Sequence, residues 1–338
     1  MSNSKLYIDF TKVKKNIKYI SKNKEVCLMV KGNCYGMGIE SIGQLIELGY
    51  DYFGVSTIEE AKEVRKFSDN VNVLIVVPVE DEHFEEAISN NFEITITDIE
   101  QLKKVDKRIK FHLKFDTGMG RIGFKNEEIK KVQEIIIENK ISPFGLFSHL
   151  AKASDDNYTN VQVDFFKEII KQFKRFEINK IHIQNTVGSI RFDIPETNMV
   201  RIGIGMWGYL GNKHESELFG KELQESLTLS SRVIHTKDYQ GKIGYDATEI
   251  VHGRIATIGI GYHDFLPLSA QGLTFSTGEK IVGKVCMCQS MLEINDDIKE
   301  IQIFGDQNSI YEIAEFTNLS VYSLLSNLSN RVKKNYRR

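Results

Sequence analysis

The chain has 338 residues, 41% hydrophobic and 27% charged, the composition of an ordinary globular protein longer than one average domain. Its 44 basic and 46 acidic residues leave a formal net charge of -2, which gives no electrostatic reason to expect nucleic acid or an anionic membrane as partner. No stretch reaches the roughly 18 apolar residues of a membrane-spanning helix, and MSNSKLYIDF lacks the basic-then-apolar order of a signal peptide, so a cytoplasmic protein is expected. Cys27, Cys34, Cys286 and Cys288 form no CxxC pair, and Cys286 and Cys288 would share one face of a strand, a poor geometry for a disulfide. They are expected to be reduced, with no metal site.

In chain order, eight short apolar runs read as strands: VCLMV (26–30), YFGVS (52–56), VLIVV (73–77), EITIT (93–97), FHLKF (111–115), FGLFSHL (144–150), IHIQN (181–185) and VRIGI (200–204). Between them, IESIGQLIELG (39–49), STIEEAKEVRKF (56–67) and FFKEIIKQFKRF (165–176) place apolar residues at helical spacing with charges opposite. Eight strands alternating with helices predict an α/β architecture, a closed parallel (β/α)8 TIM-type barrel over residues 1–221, with its active site at the carboxyl ends of the strands. From 222 to 338 the texture changes. LTLSSRVIHTKDY, TEIVHGRIATIGIGY, LTFSTGEKIVGKVCM and KEIQIFG are alternating runs divided by glycine or aspartate turns, which predicts a mostly-β domain. SIYEIAEFTNLSVYSLLSNLSNRV reads as a final helical segment closing the chain, and RVKKNYRR as a solvated terminus.

The residue that asks for an explanation is Lys31, in LMVKGNCYGMG (28–38). It stands where the first barrel strand ends and a glycine-rich turn begins. A lysine there either snorkels from the barrel mouth or is a desolvated Schiff-base amine. KGNCYGMG resembles the lysine motif of the alanine racemases, and the resemblance continues in order through seven segments covering most of the chain. It implies pyridoxal 5'-phosphate as cofactor, carried by Lys31, with Tyr35 on the phosphate. HLKFDTGMGRIGF (112–124) is similar to the segment in which a lysine, often carbamylated, positions an arginine near the cofactor and the substrate carboxylate. These correspond to Lys114 and Arg121. FSHLAKASD (147–155) carries His149, implied to pack on the pyridine ring. HIQNTVGS (182–189) offers Thr186 to the phosphate in place of the usual serine. MVRIGIGMWGY (199–209) would place Arg201 at the pyridine nitrogen and the amides of Gly203 and Ile204 on the phosphate. IGIGYHDF (258–265) supplies Tyr262 as second catalytic base, and VGKVCMCQSM (282–291) the Met287 amide for the substrate carboxylate.

The implied chemistry is amino-acid racemisation, most naturally of alanine for D-alanine supply to the cell wall. It needs one base on each face of the α carbon, here Lys31 and Tyr262. A tyrosine is a poor base near neutrality unless cationic neighbours favour the phenolate, a role the resemblance gives to His149 and Arg201. An arginine facing the pyridine nitrogen leaves it unprotonated, whereas decarboxylases of the same barrel place a glutamate there. In the family Tyr262 reaches the other subunit's site, so a homodimer with shared active sites and a small amino-acid substrate is implied. Three departures bear on substrate range: Cys288 replaces an acidic residue, Phe265 replaces a glycine, and Asn330 stands where some members carry a tyrosine. Serine, ornithine or broad specificity is the alternative, as is a non-catalytic pyridoxal phosphate binding protein, against which the retained Tyr262 argues.

Overall fold

The computed structural model describes residues 3–247 and 249–337; residues 1, 2, 248 and 338, which belong to the N-terminal, β-domain and basic-tail stretches named above, lie outside the described residues. The chain forms two compact units. One comprises Ile17–Gly32 and Ile42–Met206, and the other takes residues 3–16, 33–41 and 207–337.

The first strand, β1 (Ser4–Asp9), belongs to the second unit. The barrel unit holds β2 (Glu25–Met29), β3 (Tyr52–Val55), β4 (Asn72–Ile75), β5 (Glu93–Ile96), β6 (Lys110–Lys114), β7 (Gly145–Phe147), β8 (Lys180–His182) and β9 (Met199–Ile202). All pair in parallel, in the order β8-β7-β6-β5-β4-β3-β2-β9. Asn198 N donates to Ile181 O and Arg201 N to Gln184 O, each at 3.1 Å, joining the two ends into a closed ring. Each strand falls on one of the eight apolar runs. β3, β5 and β9 are buried at every residue, as expected where helices cover one face and side chains fill the other. The helices begin where side-chain acceptors cap them. Thr57 accepts from Glu60 N ahead of Ile58–Arg65, whose Ile58, Ala61 and Val64 face inward, and Asp155 accepts from Tyr158 N ahead of Asp156–Gln172. That cap starts this helix well before the expected 165–176 stretch.

The second unit is a twisted sheet of β10 (Leu227–Ile243), β11 (Glu249–Ile258), β12 (Lys280–Val282), β13 (Ser290–Ile294), β14 (Glu300–Phe304) and β15 (Lys333–Arg337), ordered β12-β13-β11-β10-β1-β15 with β14 on β10. Four expectations are corrected here. β1 leaves the barrel region and pairs antiparallel with β10, its alternating Leu6 and Ile8 fully buried. The final helical segment is two helices, Ile310–Thr317 and Val321–Ser326, broken at left-handed Asn318 (φ 54), and it does not close the chain. The described part of the basic tail is β15, parallel to β1 with the Arg337 guanidinium 4.0 Å above the Tyr7 ring, because β1 offers an open edge. Residues 286–288 form a turn rather than a strand.

Candidate active site

Past β2, Val30 N still donates to Gly54 O at 2.9 Å. The backbone then turns left-handed for four residues, Gly32, Asn33, Cys34 and Tyr35 (φ 60, 54, 57 and 57). Each L-residue costs about 1–2 kcal/mol in that region, so the turn persists only where its surroundings over-determine it. In the barrel unit the Glu60 carboxylate accepts from Gly32 N at 2.7 Å and Ser56 N at 2.8 Å. In the other unit, Gly36 N and Gly38 N donate to Asn33 O at 3.0 and 3.1 Å, and Asn33 Nδ2 donates to Asn330 Oδ1 at 3.1 Å. A Cβ at Gly36 would lie 2.0 Å from Leu325 O, so only glycine fits. Tyr35, 6.3 Å from the Tyr322 ring, has its phenol pushed up by burial and remains a hydroxyl donor.

The barrel mouth gathers cations. The Lys31 amine is drawn below its ordinary range by desolvation, then by Arg121, with Glu60 opposing and Arg201 adding. Burial first, then Arg201 and Arg121, push Lys114 down to about 7. Arg121 sits on a loop folded back by Asp116, whose carboxylate accepts from the amides of Gly118, Met119 and Gly120 at 2.8–3.0 Å and from Arg121 N at 3.2 Å. Arg201, 5% exposed on β9, donates from Nη2 to Ser148 O (2.8 Å), Ile183 O (3.2 Å) and His149 Nδ1 (3.1 Å), and from Nη1 to His182 Nδ1. Burial pulls its pKa down only to about 10, so it stays charged.

His149 corrects an expectation. Burial and the cations Arg201, Arg121, Lys114 and Lys31 push it well below the usual imidazole range, and its Nδ1 accepts from Arg201, so it is a neutral Nε2–H donor and not a cation beside the second base.

Thr186 opens the helix Thr186–Arg191, capped by Asn185, which accepts from Gly188 N at 3.0 Å. Gly203 and Ile204 lead into a 3-10 turn that runs hard against it: a Cβ at Gly205 would meet Thr186 Cγ2 at 2.2 Å and Oγ1 at 3.0 Å. One turn along the helix, the buried Ser189 Oγ has no hydrogen-bond partner among the described residues, a feature the sequence did not single out. Glu60, buried Glu93 and His112 were also missed, since none belongs to a segment's key position.

These residues fit pyridoxal phosphate. Beside four cations, Lys31, Lys114, Arg121 and Arg201, the carboxylates of Glu60 near Lys31 and Asp116 near Lys114 are already engaged with backbone amides, which suits a doubly anionic guest. A lowered amine suits its aldehyde, and a guanidinium suits a ring nitrogen as a donor.

In the second unit, Tyr262 and Met287 form one ledge. Tyr262 N donates to Cys286 O (3.0 Å) and His263 N to Met287 O (2.9 Å), and a Cβ at Gly261 would lie 2.2 Å from Cys286 O. Asp264 accepts from Gly261 N at 3.1 Å and pairs with Arg331 Nε at 3.3 Å, while Arg331 Nη1 donates to Cys288 Sγ at 2.6 Å. The departures therefore have structural work: Cys288 receives Arg331, Phe265 is buried against Phe304 with ring centroids 5.1 Å apart, and Asn330 holds the left-handed turn through Asn33. The Tyr262 and Met287 side chains are 44% and 55% exposed.

Residues 8–211 match the family model "Alanine racemase, N-terminal domain" and residues 226–336 match "Alanine racemase, C-terminal domain". Among curated relatives, "Alanine racemase 1" of Caldanaerobacter subterraneus subsp. tengcongensis is 32% identical over 94% of this chain and 90% of its own length, and the alanine racemase of Macrococcus caseolyticus is 30% identical over 97% and 93%. The crystal structure of alanine racemase from Bacillus anthracis with bound L-Ala-P has a TM-score of 0.91 at 25% identity, covering 100% of this chain and 96% of that one. With both family models matched in order along nearly its whole length, the chain belongs to the alanine racemase family.

Proposed function

We propose that the chain interconverts L- and D-alanine with pyridoxal 5'-phosphate held covalently at Lys31, Lys31 and Tyr262 exchanging the α proton on opposite faces of the substrate. The observation that carries this reading is Lys31 itself. An amine at the carboxyl end of a barrel strand, lowered by burial and then by Arg121 and Arg201, has a larger neutral, nucleophilic fraction than a solvated lysine and, once released, can serve as a base. The cofactor, when bound, supplies an electron sink for the charge left as the α proton departs.

The chain's own groups do the remainder. Thr186, the amides of Gly203 and Ile204 and the Tyr35 hydroxyl would hold the phosphate. Arg201 would present Nε–H to the ring nitrogen and, being an arginine, would donate without surrendering its proton. Arg121 and the Met287 amide would take the substrate carboxylate, and His149, a neutral donor, would lie on the ring. Lys114 near 7 carries a neutral amine fraction open to carbamylation, and the arginines that lower it would favour the anion so formed.

Tyr262 is exposed on its own unit, which supports a homodimer in which it completes the partner's site. A cytoplasmic location and a supply of D-alanine for cell-wall peptides follow from the same reading; among the described residues no helix is long and apolar enough to cross a membrane. The serine, ornithine, broad-range and non-catalytic alternatives are not favoured, because the near-full-length relatives are alanine racemases.

The test is borohydride reduction of the reconstituted protein followed by peptide mapping, together with an assay of D-alanine formed from L-alanine. Label on Lys31 and turnover are expected. Label on another lysine, or no chromophore, would overturn the reading.

A further inference from the structure

Inside the barrel runs a string of polar side chains of which the reaction as described uses only Arg201. Arg201 Nη1 meets His182 Nδ1, His182 Nε2 lies 3.0 Å from His112 Nδ1, and His112 Nε2 lies 2.9 Å from Glu93 Oε2, which also receives Tyr52 Oη. The five residues come from β3, β5, β6, β8 and β9, and apart from Arg201 none is more than 1% exposed.

The proton positions along this string are forced. A guanidinium has no acceptor, so His182 Nδ1 must accept and its hydrogen sits on Nε2. His112 Nδ1 must then accept from that hydrogen, which places the His112 proton on Nε2 and aims it at Glu93. Every donor from Arg201 onward therefore points toward one carboxylate oxygen, which Tyr52 approaches from the other side. The string ends on the Arg201 guanidinium and the Glu93 carboxyl group, and the two imidazoles between them are neutral. The rings are fixed by packing: His182 stacks on Phe147 (centroids 4.7 Å, planes 11° apart), and His112 meets Phe144 and Phe147 edge-on. A Cβ at Gly145 would lie 2.0 Å from His112 Nδ1, so the strand beside the ring has been left bare to admit it.

Barrel interiors are ordinarily filled with branched apolar side chains, which fill space without desolvating a carboxylate. A buried carboxylate linked to the Arg201 guanidinium through two oriented rings has a different use. We propose that Glu93 is a positioning residue for the racemase reaction, acting through His112 and His182 to fix the orientation of the Arg201 guanidinium and compensate its charge, so that Nε–H remains directed to the cofactor's ring nitrogen. This rests on the reading of Arg201 given above.

Two measurements test it. In the purified protein without cofactor, nitrogen-15 correlation spectra of the imidazoles should show both His112 and His182 as neutral Nε2–H tautomers. An Nδ1–H tautomer at either ring overturns the proposal, and this result does not depend on cofactor or activity. In the reconstituted protein, Glu93→Gln keeps an acceptor for His112 and Tyr52 but removes the charge. It should lower kcat roughly ten- to a hundredfold, the size of one lost charge-assisted hydrogen bond, with KM for alanine little changed and the cofactor absorbance shifted. Unchanged kcat and absorbance in a folded variant overturn the proposal. If Glu93→Gln does not fold, Tyr52→Phe deletes a single donor and should move the His112 nitrogen resonances and lower kcat several-fold in the same sense; no change in either overturns the proposal. A wild-type protein that takes up no pyridoxal phosphate would instead sink the racemase reading, and with it the role assigned to Glu93, whatever the tautomers prove to be.

Discussion

At the barrel mouth, Arg201 donates to two backbone carbonyls and two imidazoles, and Lys31 and Lys114 have amines shifted by burial and by neighbouring arginines. On the ledge of the second unit, the hydrogen bonds that hold Tyr262 and Met287 among the described residues come from their backbones, and their side chains are exposed. Both regions carry residues of the same proposed reaction. The difference teaches that one unit builds its half of the chemistry from its own side chains, whereas the other positions a strip of backbone and leaves the side chains for something that arrives, which fits a second copy of the chain.

Removing the amine on the saturated side should have the largest effect. Lys31→Ala should abolish racemisation in both directions and also the covalent chromophore, read by absorbance and by chiral assay; residual turnover above background would mean the amine is not the essential group. On the open side, Tyr262→Phe should cost about two to four orders of magnitude in rate, the usual loss of a positioned base, with cofactor binding intact. Mixing the two inactive proteins sharpens the comparison. A heterodimer with shared sites contains one site with both bases, so activity should return, and a mixture that stays dead after confirmed subunit exchange would remove the second copy from the account.

A smaller effect is expected where the ledge is positioned by backbone alone. Gly261→Ala forces a Cβ to within 2.2 Å of Cys286 O and displaces the Tyr262 loop, so kcat should fall by about a hundredfold while the barrel's cofactor spectrum is unchanged. Loss of the cofactor spectrum would show that the ledge is not the part disturbed.

Lys114 gives a pH test of the saturated side. Its folded pKa near 7 lies below the ordinary 10.5, so between these values the unfolded chain binds a proton that the folded chain does not, and stability should rise with pH across that window and level off below about 7. In the protein without cofactor, Lys114→Met should flatten that rise, measured as the difference in denaturation midpoint from wild type; parallel curves would place the amine in water. The smallest effect belongs to the exposed Arg331 contact: Cys288→Ser should leave the midpoint of denaturant titrations close to that of wild type.

The eight barrel strands and the position of Lys31 could be read from the sequence because fully buried parallel strands are continuous apolar runs, and a lysine ending one of them is conspicuous. The residues matched by resemblance came with their order along the chain, which is also sequence information. β1 was not legible: its SKLYID alternation suits many sheets, and only the open edge of β10 chose its partner. β15 likewise became a strand because β1 offered it hydrogen bonds. His149 was expected to be a cation because the resemblance gives it that role toward Tyr262, and only the Arg201 hydrogen bond to its Nδ1 fixed it as neutral. Sequence by itself determined which residues are available and, through period and spacing, which elements carry them. Tertiary structure decided their protonation and orientation. Tyr52, Glu93, His112, His182 and Arg201 lie on five strands spread over about 150 positions of chain, and closure of the barrel alone brings them into one line, where the arginine's lack of an acceptor dictates every proton that follows.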